Sequence, residues 1–264
     1  MFETYINNED EVKTTEESYV RVVPSVMGLL TLPDGKRVQR LSESHFLKKN
    51  LSRFSPIGGA EAVSLEGITE LSEAVGGQIL YEIPRTHQKE GMPNLSETPY
   101  PNEHGSDYDL RVYVAESQMD NFSAWMESTE LRQGVAGIVR ECYEELALEA
   151  RIEGYDPVLP ELTEQSISAT KIGIYTDVSV STNPDRGAAG RVTHYVFTTY
   201  DLQLTDEMVA KLADQVGKTP YIAALSVAEL QAILDGDSEI TEWYGCPVKV
   251  SADILNMFDP ALVA

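Results

Sequence analysis

Valine and leucine crowd the run Tyr19–Leu32, which ends at Pro33-Asp34-Gly35-Lys36. An apolar run closed by such a turn signature predicts a strand, and Lys36–Leu41 beyond it predicts the hairpin partner. Further strands are predicted at Tyr108–Val114, Ala169–Ser181, Arg191–Leu202 and Tyr221–Leu225. Helical spacing takes over near Asn121–Thr129 and again over about Arg132–Ala150, where Val135, Ile138, Val139, Cys142 and Leu146 form one apolar stripe. Thr205–Val216 reads as a helix with Asp206 and Glu207 favouring its N-terminus. Ser226 and Glu229 make a capping box for Val227–Leu234, and a last helix is expected near Ser251–Met257. Between these elements, Pro84, Gly91, Pro93, Pro99, Pro101 and Gly105 mark residues 84–109 as a long irregular excursion that includes His87 and His104. Asn183-Pro184-Asp185-Arg186-Gly187 marks a second loop. Strands, long loop, helix, strands, helix: the order predicts an α/β (α+β) sandwich with a mixed sheet.

Charge concentrates in the helix at Arg132–Ala150. Glu141, Glu144 and Glu145 fall within one sector roughly 100° wide on an α-helix, and Glu141 and Glu145 stand at a spacing where like charges destabilise by a few tenths of a kcal/mol. Three carboxylates aimed at one spot suit a hard divalent cation that keeps waters for a phosphate substrate. The competing reading is a solvated acidic face. Upstream, Phe54-Ser55-Pro56-Ile57-Gly58-Gly59-Ala60-Glu61 allows a tight turn and close backbone approach to a ligand.

The chain as a whole is acidic, with 43 carboxylates against 20 basic residues and a formal charge of −23 over 264 residues. This disfavours duplex nucleic acid and anionic lipid as partners. A phosphorylated substrate then needs metal ions or local arginines. Two cysteines, Cys142 and Cys246, are too few for a disulfide framework, and Cys142 reads as a small core residue. With no secretion signal and no apolar run of membrane-spanning length, a cytoplasmic protein is expected. Residues 1–18 read as an acidic N-terminal tail and 19–264 as one domain with an insertion at about 62–130.

Arg140-Glu141-Cys142-Tyr143-Glu144-Glu145-Leu146-Ala147-Leu148 resembles the second half of the Nudix box, Arg-Glu-apolar-x-Glu-Glu-x-Gly-apolar. The Phe54–Glu61 stretch resembles the proline-glycine-glycine loop before that box, and Tyr221–Leu234 is similar to the element that closes many Nudix domains. There are departures. Gly59 and Arg140 stand about 80 positions apart, so the insertion splits the box, and Ala147 replaces the family's glycine. The upstream box glutamate would fall at Arg132, leaving Glu130, Glu61 or Glu66 as replacements among which the sequence does not choose. A split of this kind resembles Nudix domains associated with bacterial conflict and nucleotide-signalling systems.

The resemblance implies a Nudix-like α/β/α sandwich and Mg²⁺- or Mn²⁺-dependent hydrolysis of a nucleoside diphosphate linked to another group. Glu141, Glu144 and Glu145 would be catalytic and metal-binding, with Glu141 completing the metal shell or accepting a proton from water. Gly58 and Gly59 would meet substrate through the backbone, and Arg140 would be structural and pair with a neighbouring carboxylate; Arg111 is taken as substrate-binding on its own chemistry, since arginine binds oxyanions in bidentate fashion. Arg186 and Arg191 are weaker phosphate candidates. Tyr81, Tyr108, Tyr175 and Phe197 can stack on a base but read first as core, as His194 does. The alternative is a catalytically impaired module that senses a nucleotide. A small nucleotide is the expected partner, and a homodimer stays open.

Overall fold

The computed structural model describes residues 5–6, 12–13, 19–76, 78–83, 95–101, 107–148, 156–180 and 192–250. In chain order the strands are β1 (Tyr5–Ile6), β2 (Val12–Lys13), β3 (Tyr19–Leu30), β4 (Arg37–Leu41), β5 (Ser52–Ser55), β6 (Ile57–Ala60), β7 (Ala62–Val63) and β8 (Ile79–Glu82). Then come β9 (Leu95–Ser96), β10 (Tyr108–Asp109), β11 (Val112–Ala115), β12 (Ile167–Val180), β13 (Val192–Leu204), β14 (Ile222–Leu225), β15 (Glu242–Trp243) and β16 (Cys246–Val250). The helices are α1 (Glu43–Lys49), α2 (Leu65–Ala74), α3 (Met119–Ser128), α4 (Gly134–Tyr143), α5 (Asp206–Gln215) and α6 (Val227–Asp235). This is the α+β content expected from the sequence. His87, His104, the Asn183–Gly187 loop and the expected Ser251–Met257 helix lie outside the described residues, as does most of 1–18, where β1 and β2 pair antiparallel.

The chain divides into two compact units, one of Met1–Ser25, Ala60–Gly134 and Thr176–Phe197, the other of Val26–Gly59, Val135–Tyr175 and Thr198–Ala264. In the first, the start of β3 pairs antiparallel with β11, which pairs with β8, and β8 with β9. Tyr19, Leu80, Tyr113 and Ala115 form a buried cluster there, with Leu95 packed against it. Gly67 lets α2 approach closely, since a Cβ would overlap the Val63 side chain. Trp125 of α3, itself buried, donates its indole N–H to Glu70 of α2 at 2.9 Å. Between β10 and β11 the strand expected over Tyr108–Val114 is interrupted at Leu110-Arg111.

The second unit holds a five-stranded mixed sheet in the order β14-β4-β5-β16-β15. Its one parallel pair is β16 with β5, Val248 opposite Ser52. The turn at Pro33–Lys36 forms as predicted, with Gly35 at φ 83° and the Gly35 N–H donating to Leu32 O at 2.9 Å. The hairpin does not continue from it. A single bridge, Thr31 to Arg37, closes the turn, and β4 then pairs with β14 and β5 instead. Chain-local turn chemistry is blind to that choice, because β14 comes from far down the sequence. Helix α6 carries both hydrogen bonds of the predicted capping box and ends at Gly236 in the left-handed conformation. The core includes Leu41, Phe54, Ile57, Ile138, Cys142, Leu146 and Leu230, and Trp243 meets Phe54 edge-on at 5.6 Å.

Candidate active site

The acidic helix begins at Gly134 as α4 and changes character at Glu144, where a π-helical turn runs to Leu148. An α-helix over the whole of 132–150 was expected. The difference matters because a π turn hydrogen-bonds one residue further along and is widened accordingly, so the α-helical sector no longer describes where Glu144 and Glu145 point. Val135 also departs from the expected stripe, being 48% exposed in the first turn, while Ile138, Cys142 and Leu146 are fully buried. Gly28 of β3 permits that burial: a Cβ there would overlap Leu202 of β13 and stand 3.1 Å from Ile138.

The three glutamates meet different fates. Glu141 and Glu144 share Arg140, whose Nη2 lies 3.2 Å from Glu141 Oε1 and whose Nη1 lies 3.1 Å from Glu144 Oε1. Their side chains keep 15% and 19% of their surface exposed. Glu145 is buried to 1% and lies 2.6 Å from Nε of Arg40 on β4. Arg40 also donates from Nη2 to the carbonyl oxygen of Gly58 at 3.2 Å. Burial, followed by the Glu145 charge, pushes the Cys142 thiol well above its ordinary range, so it stays a neutral core residue.

The glycine pair closes the other side. Gly58 has φ +151°, and a Cβ would run into the carbonyl oxygen of Val26. Gly59 is backed against Glu141, whose carboxyl carbon and both oxygens would lie 2.5 Å from a Cβ there. The structure therefore brings Gly58, Gly59, Arg140, Glu141, Glu144 and Glu145 together. Arg111 lies in the other compact unit, 3.2 Å from Asp109, whose own carboxyl is pushed up chiefly by burial. Among the replacements considered for the upstream box glutamate, Glu66 and Glu130 are exposed. Glu61 is buried and lies 2.8 Å from Arg132, the residue standing at the box position. Arg40 had no signal in the sequence beyond being an arginine inside a short strand.

Among the described residues, no three His, Cys, Asp or Glu side chains gather into a group able to hold a metal ion. The donor chemistry nevertheless fits a small hard cation. Magnesium is commonly held by one or two carboxylates together with substrate phosphates, and Glu141 and Glu144 are brought near each other on the two terminal nitrogens of Arg140.

The family model of the SMODS-associated NUDIX domain matches residues 69–240. The chain belongs to this family. The matched span covers the Nudix helix with Glu141, Glu144 and Glu145, most of residues 62–130, and α6, and it leaves out Gly58 and Gly59. Nudix domains in general hydrolyse nucleoside diphosphate-linked compounds and use divalent metals, so membership gives the chain hydrolase potential. No curated protein matches the chain significantly.

Proposed function

We propose that this Nudix domain hydrolyses the diphosphate linkage of a small nucleotide derivative with the help of Mg²⁺ or Mn²⁺. The observation that carries the reading is the packing of the Gly59 backbone against the Glu141 carboxylate, on a helix where Arg140 gathers Glu141 and Glu144. Glu141 and Glu144 would hold the ion. Once bound, it supplies positive charge to the diphosphate oxygens and makes a bound water more acidic. The chain's own groups do the rest. Arg140 keeps the two carboxylates ordered at the helix surface, each close to where it would reach the cation. Gly59, having no side chain, leaves Glu141 room to sit against the backbone. Glu141 is then placed either to complete the ion's shell or to take a proton from the attacking water.

A second reading, a module that senses a nucleotide without cutting it, is favoured by Arg132 standing at the upstream box position in a buried pair with Glu61. One screen separates the two. Nucleotide derivatives are incubated with Mg²⁺ and Mn²⁺, and phosphate and nucleotide products are read out. Turnover that E141Q/E144Q lowers by at least about 100-fold, with the fold intact by circular dichroism, is the expected result. Calorimetric binding with no product in either metal would replace the hydrolase reading by the sensor.

A further inference from the structure

We infer that this chain self-associates through the outer edge of β12, two copies pairing antiparallel about a two-fold axis at Ile174. This edge carries none of the residues assigned to hydrolysis, so its role stands whether or not the domain cuts a diphosphate.

Strand β12 runs unbroken for 14 residues, Ile167–Val180, where strands in globular proteins are mostly about 5–6 residues long. Along one side it pairs with β13, and among the described strands none pairs with the other side. An edge of this length is a template for a further strand, and proteins that stay monomeric blunt such edges with lysine, proline or a bulge. Strand β12 has no proline and a single lysine, Lys171. Side chains alternate across a strand, so Ser168, Thr170, Ile172, Ile174, Thr176 and Val178 share one face. That face is solvated, with Ile172 46% and Val178 54% exposed and Ile174 half-buried.

The charges of β12 commit this edge to a second copy of the chain. Its two charged residues, Lys171 and Asp177, lie on one face at equal distances either side of Ile174. In a symmetric antiparallel pair centred on Ile174, and in no other symmetric register, each lysine stands opposite the aspartate of the other copy. Neither residue has an ion-pair partner among the described residues of its own chain. The same register sets Ile174 against its counterpart and Gly173 against Tyr175. Nothing within the chain calls for a glycine at that position: a Cβ on Gly173 would meet no described atom within 4 Å, and its φ is not in the left-handed region. Glycine inside a strand weakens it and often marks a close approach by another backbone. Here it leaves room for the Tyr175 ring of the copy to lie across the strand pair, as aromatic residues do opposite glycine in sheets. A two-fold contact of this kind uses the same edge on both copies, so association closes at the dimer.

Sedimentation velocity of the full chain over about 1–200 µM is expected to show a reversible monomer–dimer equilibrium, with a dissociation constant on the order of 10 µM for an interface as small as one strand pair. K171D and D177K each set like charges opposite one another twice, and each is expected to weaken the dimer at least about tenfold. K171D/D177K makes the charges opposite again and is expected to return the constant to within about threefold of wild type. Within one chain the two side chains stand about 20 Å apart along the strand, so pairing between copies is what such a rescue reads. Wild-type protein that stays monomeric throughout overturns the proposal. So does a dimer indifferent to K171D and D177K, or a folded K171D/D177K that fails to recover. A second measurement does not depend on the charge variants. I174C/C246S is expected to cross-link to itself on mild oxidation, because that position faces its own counterpart across the two-fold axis. T170C/C246S, whose altered position faces Val178 of the copy, is expected to stay uncross-linked. No cross-link in I174C/C246S, or equal cross-linking of both variants, overturns the register.

Discussion

Adjacent glycines serve two different purposes here, and substitution separates them. An alanine at Gly59 would press on the far end of the Glu141 side chain, which can swing aside at little cost to the fold. The expected result of G59A is a change in stability below about 1 kcal/mol with turnover reduced roughly 100-fold, because misplacing a reacting group by about 1 Å costs on that order. At Gly58 the obstacle is the backbone oxygen of Val26, and φ +151° is unfavourable for any other residue. G58A is therefore expected to destabilise by roughly 2–4 kcal/mol in urea melts. Legibility at this scale follows locality. The glycine pair and the Arg-Glu-x-x-Glu-Glu run were readable because their meaning lies in neighbouring residues. Arg40 was not, because nothing near it in sequence reveals that Glu145 and Gly58 will stand beside it. Arg132 was legible only as a misfit. Its partner Glu61 shows that the box position has become half of a buried ion pair, 2.8 Å long, with both side chains nearly inaccessible. E61Q is expected to cost roughly 3–5 kcal/mol, while E61L/R132M costs far less, since removing one buried charge strands the other. Near-equal losses in the two variants would show that the pair contributes through packing instead.

Elements closed by local signals formed as the sequence predicted. Ser226 and Glu229 built the capping box of α6, and Thr205 caps α5 by accepting from the Met208 N–H. The hydrogen bond from the Ser226 N–H holds the Glu229 carboxyl below its usual range, with Lys36 helping from 3.6 Å. A carboxylate depressed in the folded state adds stability that is fully present above its unfolded value, about 4.3, and is lost as pH falls through the lower folded value. E229A is thus expected to cost about 0.5–1 kcal/mol at neutral pH, given that the side chain is partly exposed, and the difference from wild type should close in melts below about pH 4. A difference that persists into strong acid would assign Glu229 a role other than the cap. The elements that misled are those settled by distant partners. Strand β4 abandons β3 for β14 and β5, β16 adds a parallel strand beside β5, and the acidic helix widens into a π turn where Leu146 and Ala147 sink into the core. Hydrophobic spacing predicts that a segment is buried. It does not say which segment will bury it, nor that a helix will accommodate an extra residue to do so.

At the scale of the whole chain, the proposed cation site belongs to a protein of formal net charge −23. Net repulsion of this size lowers stability and is screened by any salt, so a rise in melting temperature on adding Mg²⁺ or Mn²⁺ has two possible sources. Matched ionic strength distinguishes them. Sodium chloride acts on the charge atmosphere alone, whereas a cation held specifically by the folded state adds RT ln(1 + [L]/Kd), about 2.7 kcal/mol at a hundredfold excess over Kd. For a chain of this length that is roughly 5–10 °C beyond the sodium chloride control. E141Q/E144Q removes the proposed ligands while changing the net charge by only a small fraction. It is therefore expected to retain the sodium chloride response and lose the divalent excess. An excess that survives in E141Q/E144Q would place the stabilising cation elsewhere on the acidic surface, and the Nudix helix would then need another explanation for keeping Glu141 and Glu144 side by side around Arg140.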